Sequence, residues 1–565
     1  MPFVPFPEYR PDVDDFRGQH TQVLTGVLPR GDGYGPVPSL QAYTLALPAA
    51  CRGMFYARKS DGTIVVFAGT ANRIYKLDNS TLGWIPISKV TAITSISNAS
   101  PGVVTLNGHG LSNGDRLTLT TSGALPTGLS TGVTYYVVNK TTNTFELSLT
   151  SGGASINTSS AGSGTHSMTY FYSSLPSTDQ WQFAQFGNTV VAVQANSAPQ
   201  AFDISSGSAF ADLGGSPPTA RYIMVVNRFL VLLGLTSNPT RVHWSDLDGI
   251  TTWTAGTGFA NTFDCPDGGV VRGGAGGEFG VVLQESALRR MVFIPGAKPA
   301  FQIERLAEEV GLLGPYSLIR AGERVFFISQ QGFRAVGQSG PTTPIGKERV
   351  DRTFLADVSV SNLHLLIGAA DPASSRVAWA YSSAADTLFN KIIFYDWALE
   401  RFSPAISISG EYIGAIVKPG VTLENVDTLF GSNIDTLTVV SLDSIQAALV
   451  SKLAGFDSSH RLGFFDGPNL EATLETPEQG LERRRMFIRG FDVRTDAPTV
   501  FGYVRYRDNA QESLAATSEA AANSEGFVPQ RIETKLARGG IRVPAATSWT
   551  YAMGIEPEAV PAGQR

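Results

Sequence analysis

Charge is scarce in this chain. Only 16% of its 565 residues are Asp, Glu, Lys or Arg, and the balance is −6. That excludes a protein that clamps nucleic acid by neutralising phosphates across a basic surface. Cysteine is nearly missing. Cys51 and Cys265 give neither a disulfide framework nor a metal-ligand spacing, and they read as small buried hydrophobes. The six His are scattered with no close pair. No apolar run approaches the ~18 residues that a membrane helix needs. The opening MPFVPFPEYRPDVDDFRG has no basic region ahead of an apolar core. It is not a signal peptide, so the protein is expected to act where it is made or to leave the cell by lysis. Phosphate-binding glycine loops, His-Glu-x-x-His, Gly-x-Ser-x-Gly and Cys-x-x-Cys are all lacking, so no enzyme, cofactor or metal site is expected. Paired carboxylates for glycoside hydrolysis meet in space and not along the chain, so sequence order does not exclude them.

What the chain does have is turns and short strands. It contains 59 Gly and 32 Pro, and 10% of it is aromatic. Residues 181–204, WQFAQFGNTVVAVQANSAPQAFDI, and 227–253, NRFLVLLGLTSNPTRVHWSDLDGITTW, share one plan. An aliphatic run is followed by a turn of Asn, Ser and Pro, then by a strand ending in an aromatic residue and an Asp. That is a hairpin unit. Similar runs start at Thr63, Asn188, Arg228, Gly277, Glu323, Ser375 and Glu411. A repeat of roughly 40–50 residues, made of strands without helices between, predicts a β-propeller. The first interval is longer and holds a segment of different composition.

Four regions are therefore expected. Residues 1–48 carry eight prolines and read as an extended arm. Asp12, Asp14 and Asp15 in it read as solvated or Arg-paired acids. Residues 49–90 and 171–440 form a propeller of six or seven blades. Residues 91–170 are rich in Ser, Thr and Gly and form an inserted β module. His109 and His166 in the insert read as turn or cap residues, because a zinc site needs further ligands. Residues 441–565 begin with a helix over 441–455, where Leu442, Ile445, Leu449 and Leu453 share a face and Gly455 suits the position after its end. An antiparallel, sandwich-like β region follows. The fold class is all-β.

Two sets of residues are singled out. WSDLDGITTW, 244–253, approaches the Asp-box of sialidase-type propellers, but its spacing departs from it and it occurs once. Here Asp246 or Asp248 is expected to accept backbone N–H bonds while Trp253 packs beneath. Arg483, Arg484, Arg485, Arg489, Arg494, Arg505 and Arg507 form a basic cluster. They are expected to dock on carboxylates of neighbouring subunits, with DNA-phosphate contact as the other reading.

Several motifs together carry a resemblance. They are Trp181-x-x-Ala184-x-Phe186-Gly187-Asn188 leading to Pro199-Gln200-x-Phe202-Asp203, and Arg241-Val-His-Trp244-Ser245-Asp246 with Trp253. To these add Phe263-Asp264-x-Pro266-Asp267-Gly268-Gly269, Gly332-Phe333-Arg334 and Pro344-Ile345-Gly346-x-Glu348-x-Val350-Asp351-Arg352. The chain resembles the nozzle or hub proteins of short-tailed, podovirus-like phages, also called packaged-DNA stabilisation or tail tubular proteins. GHGLSNGD, 108–115, is similar to small β modules of tailed-phage structural proteins. The resemblance implies a hexameric tube below the portal and adaptor proteins, in contact with tail fibres or a tail needle. Such a tube retains double-stranded DNA and conducts it without sequence specificity. It implies a virion protein assembled in the bacterial cytoplasm. Trp181, Phe186, Gly187, Trp244, Asp246, Trp253, Gly332 and Phe333 are then fold signatures, and the Arg cluster supplies inter-subunit contacts. The alternative is a tail propeller that binds or cleaves host-surface glycans.

Overall fold

The computed structural model describes residues 3–14, 19–338, 341–420, 451–480 and 484–562. Among the described residues the regular secondary structure is nearly all antiparallel strand, and seven small sheets follow one another as blades. Blade one comprises Met54–Arg58, Ile64–Gly69, Ile74–Leu77 and Trp84–Pro86. Blades two to six open with the innermost strands Gln182–Phe186, Ala220–Val226, Val271–Ala275, Ile319–Ala321 and Ile367–Asp371. Blade seven runs Tyr412–Val417, Ser451–Phe456, Arg461–Asn469 and then Pro38–Ala46. Its outermost strand thus comes from the other end of the chain.

Apolar seams close the circle. Phe67 of blade one packs edge-on against Phe202 of blade two, with ring centroids 5.4 Å apart. Val191 and Val193 meet Leu230 and Leu232 between blades two and three. One large cluster joins blade three to four through Val231 and Val282, and blade six to seven through Ala378 and Ile413. Phe279 and Leu283 meet Val325 and Phe327 between four and five, and Phe326 and Phe333 meet Trp379 between five and six. Ile416 and Phe464 meet Ile64 and Val66 between seven and one. Each fully buried Phe, Leu or Val contributes about 1.5–3 kcal/mol relative to exposure. The second strands of the blades, among them Thr189–Gln194, Phe229–Leu235 and Phe279–Gln284, are buried on both faces, so they read as continuous apolar runs and mark the repeat.

The N-terminal segment is not a free arm, and this corrects the expectation for residues 1–48. Val4–Pro5, Val27–Arg30 and Gly33–Pro36 join a sheet with Met486–Thr495, Phe527–Thr534 and Ala552–Pro561. Leu24–Thr25 joins a second sheet with Ala472–Glu475, Phe501–Arg507 and Leu536–Val543. The two sheets share one core that includes Phe6, Val27, Phe491 and Ile541. The prolines fit because they sit where a missing N–H costs nothing. Pro38 starts a strand, Pro36 ends one, and Pro29 lies on a strand at the sheet edge.

The expected helix over 441–455 is also corrected. Residues 441–450 lie outside the described residues, and Ser451–Phe456 is the second strand of blade seven. Leu453, Ala454 and Phe456 are all buried, and a strand buried on both faces loses its period of two. Gly455 pairs with Ile413 and Gly463 in the sheet. The propeller therefore extends to Asn469, past the expected boundary at 440. Among the described residues the α-helix is Asp351–Asp357.

The insert is a seven-stranded antiparallel sheet from Val90–Ala92 to His166–Tyr170, and these two strands pair at its base. It has its own core around Leu117, Tyr135 and Phe145. His109 Nδ1 accepts the Leu111 N–H at 3.0 Å within its own turn, and His166 Nδ1 meets the Thr121 hydroxyl at 2.9 Å.

A polar staple binds the sandwich side of the chain to blade five. Asp12 caps the helix, accepting the N–H of Arg352 at 2.7 Å and that of Thr353 at 2.8 Å. It satisfies two of the donors that a helix start leaves free. Asp351, the first residue of that helix, accepts the Phe333 N–H at 2.9 Å. Its carboxylate lies so close to Gly332 and Gly346 that a Cβ at either would overlap it. Gly332 also has φ of +117°, which side chains disfavour. Burial pushes the Asp351 carboxyl up to about 6. Asp12 adds to the rise, and the Phe333 N–H and Arg334 oppose it.

Two outcomes follow from this architecture. Because the folded value of Asp351 exceeds its ordinary one, its contribution is complete below about pH 4 and is lost as pH rises through about 6. Asp351→Asn, which keeps the acceptor, is expected to raise the denaturation midpoint at about pH 7.5 and to lose that advantage near pH 4.5. Equal differences at both pH values would contradict this. Deleting residues 91–170 and joining Val90 to Phe171 by a short Gly-Ser linker is expected to leave cooperative thermal unfolding, lowered by no more than about 5 °C. Insoluble protein would show the insert to be integral to the core.

Candidate functional site at the propeller axis

The connections into blades two to six converge where their innermost strands begin. There they line a cavity of about 480 Å³. Thr178 and Asp179 precede the first strand of blade two. Arg221 and Tyr222 sit near the start of that strand in blade three, and Arg272 in blade four. Pro315 leads into blade five, and the turn Val360–Leu365, which carries Ser361 and His364, leads into blade six.

A polar network holds this mouth open. Arg52, just ahead of blade one, donates to the carbonyls of Pro176 at 3.0 Å, Ser177 at 2.7 Å and Asp179. Buried Asp179 pairs with Arg221 at 2.5 Å. The Gln180 N–H donates to the Tyr316 hydroxyl at 2.9 Å, and its side-chain amide donates to the His364 carbonyl at 2.7 Å. Arg272 pairs with Glu285 at 2.7 Å. Burial drives the Tyr316 phenol well above its ordinary range. Burial, reinforced by Arg52, lowers His364, which leaves that imidazole neutral at physiological pH. Farther along the innermost strands, Phe55 and Phe183 stack with centroids 6.0 Å apart. With Ile223 and Val225 they line an open channel of about 620 Å³.

The residues singled out from sequence lie elsewhere and hold the fold. Trp181 is buried beside Gly69, its indole N–H donating to the Thr70 carbonyl at 2.8 Å across the seam between blades one and two. Phe186 ends the innermost strand of blade two. Gly187, at φ +58°, turns the chain so that Phe186 pairs with Thr189. The Trp244 indole donates to the Phe259 carbonyl at 2.9 Å, and Asp246 accepts the N–H of Leu247 at 2.8 Å and of Phe259 at 2.7 Å. Trp253 is buried, donating to the Ile250 carbonyl at 2.8 Å. Phe333 packs edge-on against Trp379 and at a tilt against Phe354, beside the Gly332 turn described above. None of these lines the axial mouth.

The arginines find acids within their own chain. Arg494 pairs with Glu556 through two bonds of 2.9 and 2.7 Å, and Arg489 with Glu558 at 3.1 Å. Arg485 pairs with Asp508, Arg505 with Glu475 at 3.2 Å and Arg507 with Glu478. Arg484 is exposed, and Arg483 lies outside the described residues. Within the chain, adjacent strands of the sandwich place both signs side by side.

Sequence reasoning missed the residues of the mouth. They occur singly, each a few positions ahead of an innermost strand, so no local motif marks them. It missed a repeated staple as well. Ser88, Ser245 and Ser403 are fully buried and accept the N–H of Ile74, Leu230 and Phe394. Each directly follows an apolar residue late in its blade, at Ile87, Trp244 and Phe402, a signal that was available.

No family model matches the chain, and no curated protein matches it. Among solved structures it is similar to a computationally designed protein, Ika8, at 13% identity and a TM-score of 0.33, covering 76% of this chain and 99% of that one. It is similar to dihydro-heme d1 dehydrogenase NirN at 11% identity and a TM-score of 0.28, covering 55% of this chain and 60% of that one. It is also similar to Hsv2p of Kluyveromyces lactis at 8% identity and a TM-score of 0.22, covering 52% of this chain and 75% of that one. At scores this low the likenesses bear on no functional question.

Proposed function

We propose that this chain is a structural subunit of a short-tailed phage tail. It is a nozzle or hub protein that assembles as a hexameric tube below the portal and adaptor. In that place it retains packaged double-stranded DNA and conducts it during ejection, in contact with tail fibres or a needle. The observation that carries the reading is the use made of the motifs on which the resemblance rests. Trp181, Trp244, Asp246, Trp253 and Asp351 are spent on backbone bonds that hold blades and connections together.

Charge supports the same reading. A duplex moving under pressure is slowed by every phosphate contact that the wall offers. The chain is acidic overall, at −6, and the sandwich arginines face acids of their own chain. A wall of this kind repels DNA weakly, over a distance of ~8 Å at physiological salt. Retention then depends on a constriction or plug and not on adhesion. The glycan-cleaving alternative needs two free carboxylates on facing sides of a sugar. The mouth's lining supplies one carboxylate, Asp179, and Arg221 engages it.

Particles from lysed host cells, labelled with an antibody to this chain and imaged by electron microscopy, test the assignment. The label is expected on the tail directly below the head. Label confined to peripheral fibres, or particles without label, would overturn it. The purified subunit is expected to bind duplex DNA more weakly than about 1 μM at physiological salt. Tighter, salt-sensitive binding would make the protein a DNA clamp.

A further inference from the structure

The axial mouth is equipped beyond what holding blades together requires. Its volume of about 480 Å³ falls within the range of small-molecule sites, ~300–1,000 Å³. Two guanidinium groups, Arg221 and Arg272, face it from adjacent blades. Each is engaged by one carboxylate, Asp179 or Glu285, which leaves further N–H donors on each fork. Arg272 Nε is buried with no partner among the described residues, and so is Nδ1 of His364, on the far side of the mouth. Leaving a buried donor unanswered costs about 1–3 kcal/mol. Thr178 and Ser361 place hydroxyls in the same lining, and Tyr222 presents an aromatic wall.

The local charge is lopsided. Arg52, Arg221 and Arg272 are three cations, whereas Asp179 and Glu285 are two anions. Arg52 is held by backbone carbonyls of 176–179 and so adds its charge without an acid of its own. The lowered His364 value has Arg52 as its second cause, after burial. The surplus is positive, and the unanswered groups lie on two sides of the mouth.

We propose that this mouth binds a small anion, a carboxylate or phosphate group carried on a compact polar molecule. The anion takes the spare N–H groups of Arg221 and Arg272 from one side. On the other side it meets the His364 imidazole, which lines the mouth. The hydroxyls of Thr178 and Ser361 hold the polar remainder of the ligand, and Tyr222 covers its apolar face. The site is independent of any role in a tail, because it needs only one chain.

Calorimetric titration of the full chain with inorganic phosphate and, separately, with glucuronate tests this. Saturable uptake of at least one probe is expected, with a dissociation constant on the order of 1 mM or tighter. Phosphate alone marks a phosphate site, glucuronate alone a carboxylate site, and both a site that reads charge. Arg272→Gln is expected to weaken binding by roughly 10-fold or more, and Arg489→Gln on the sandwich surface to leave it unchanged. Arg221→Gln strands buried Asp179 and is unsuited to be the sole variant, so His364→Phe serves as the second, with folding of each checked by thermal unfolding. No saturable uptake of either probe up to about 20 mM would overturn the proposal, as would equal affinity in folded Arg272→Gln and His364→Phe.

Discussion

The structure depends on how the ring of blades is closed. Seven sheets stand side by side as separate hydrogen-bonded units, and neighbouring blades share only scattered backbone bonds, such as those of the Gly277 N–H to the Val225 carbonyl at 2.8 Å and of the Asn227 N–H to the Gly277 carbonyl at 2.7 Å, so apolar seams carry most of the circle. Pro38–Ala46 supplies the missing strand of blade seven and then leads directly into blade one. At that joint Leu47 N–H donates to the His460 carbonyl at 2.8 Å, and Leu462 N–H to the Thr44 hydroxyl at 3.1 Å. Glu411, from the start of blade seven, accepts the Cys51 N–H at 2.7 Å and pairs with His460. The latch is built from residues more than 350 positions apart in the chain. Opening it separates the two ends of the ring, and loop-closure entropy then works against every other seam. Both chain ends next to the latch enter one sandwich, so the second domain also depends on it.

How much of this was legible in the sequence follows from which strands carry a local signal. The starts at Asn188, Arg228, Gly277 and Glu323 all mark second strands of blades, the most buried in each sheet. Glu411 marks a first strand instead. The true second strand of blade seven, Ser451–Phe456, lies beyond 421–450, so its place in the repeat was hidden and its apolar residues imitated a helix. Proline in the first 48 residues reported strand edges, which composition alone does not separate from an extended arm. Asp12 reads as a surface acid until Arg352 and Thr353, some 340 positions on, are brought to it. The axial mouth was invisible for the same reason. Arg52, Asp179, Arg221, Arg272 and His364 come together only because successive blades repeat the same entry point around an axis.

Buried polar groups in the turns are held mainly by the backbone. In the seams and turns, buried polar atoms are answered by backbone: Ser88, Ser245 and Ser403 by strand N–H groups, and Asp246 by the turn that it staples. This gives a stiff body with little to offer a passing polyanion. At the mouth Arg272 Nε and His364 Nδ1 have no partner among the described residues, as is also so of scattered atoms elsewhere such as Arg73 Nε, His109 Nε2 and Trp549 Nε1.

The measurement that tests the account most directly is amide hydrogen exchange on the full chain, read by peptide mass spectrometry. The hydrogen-bonded amides of residues 27–46 are predicted to exchange as slowly as those of Arg461–Asn469 and Ala552–Pro561, with which they pair. All three should also open together as denaturant is added, because the ring and the sandwich share one latch. Complete exchange of residues 27–46 within seconds, while blade seven and the sandwich stay protected, would contradict the account. It would return the N-terminus to an extended arm.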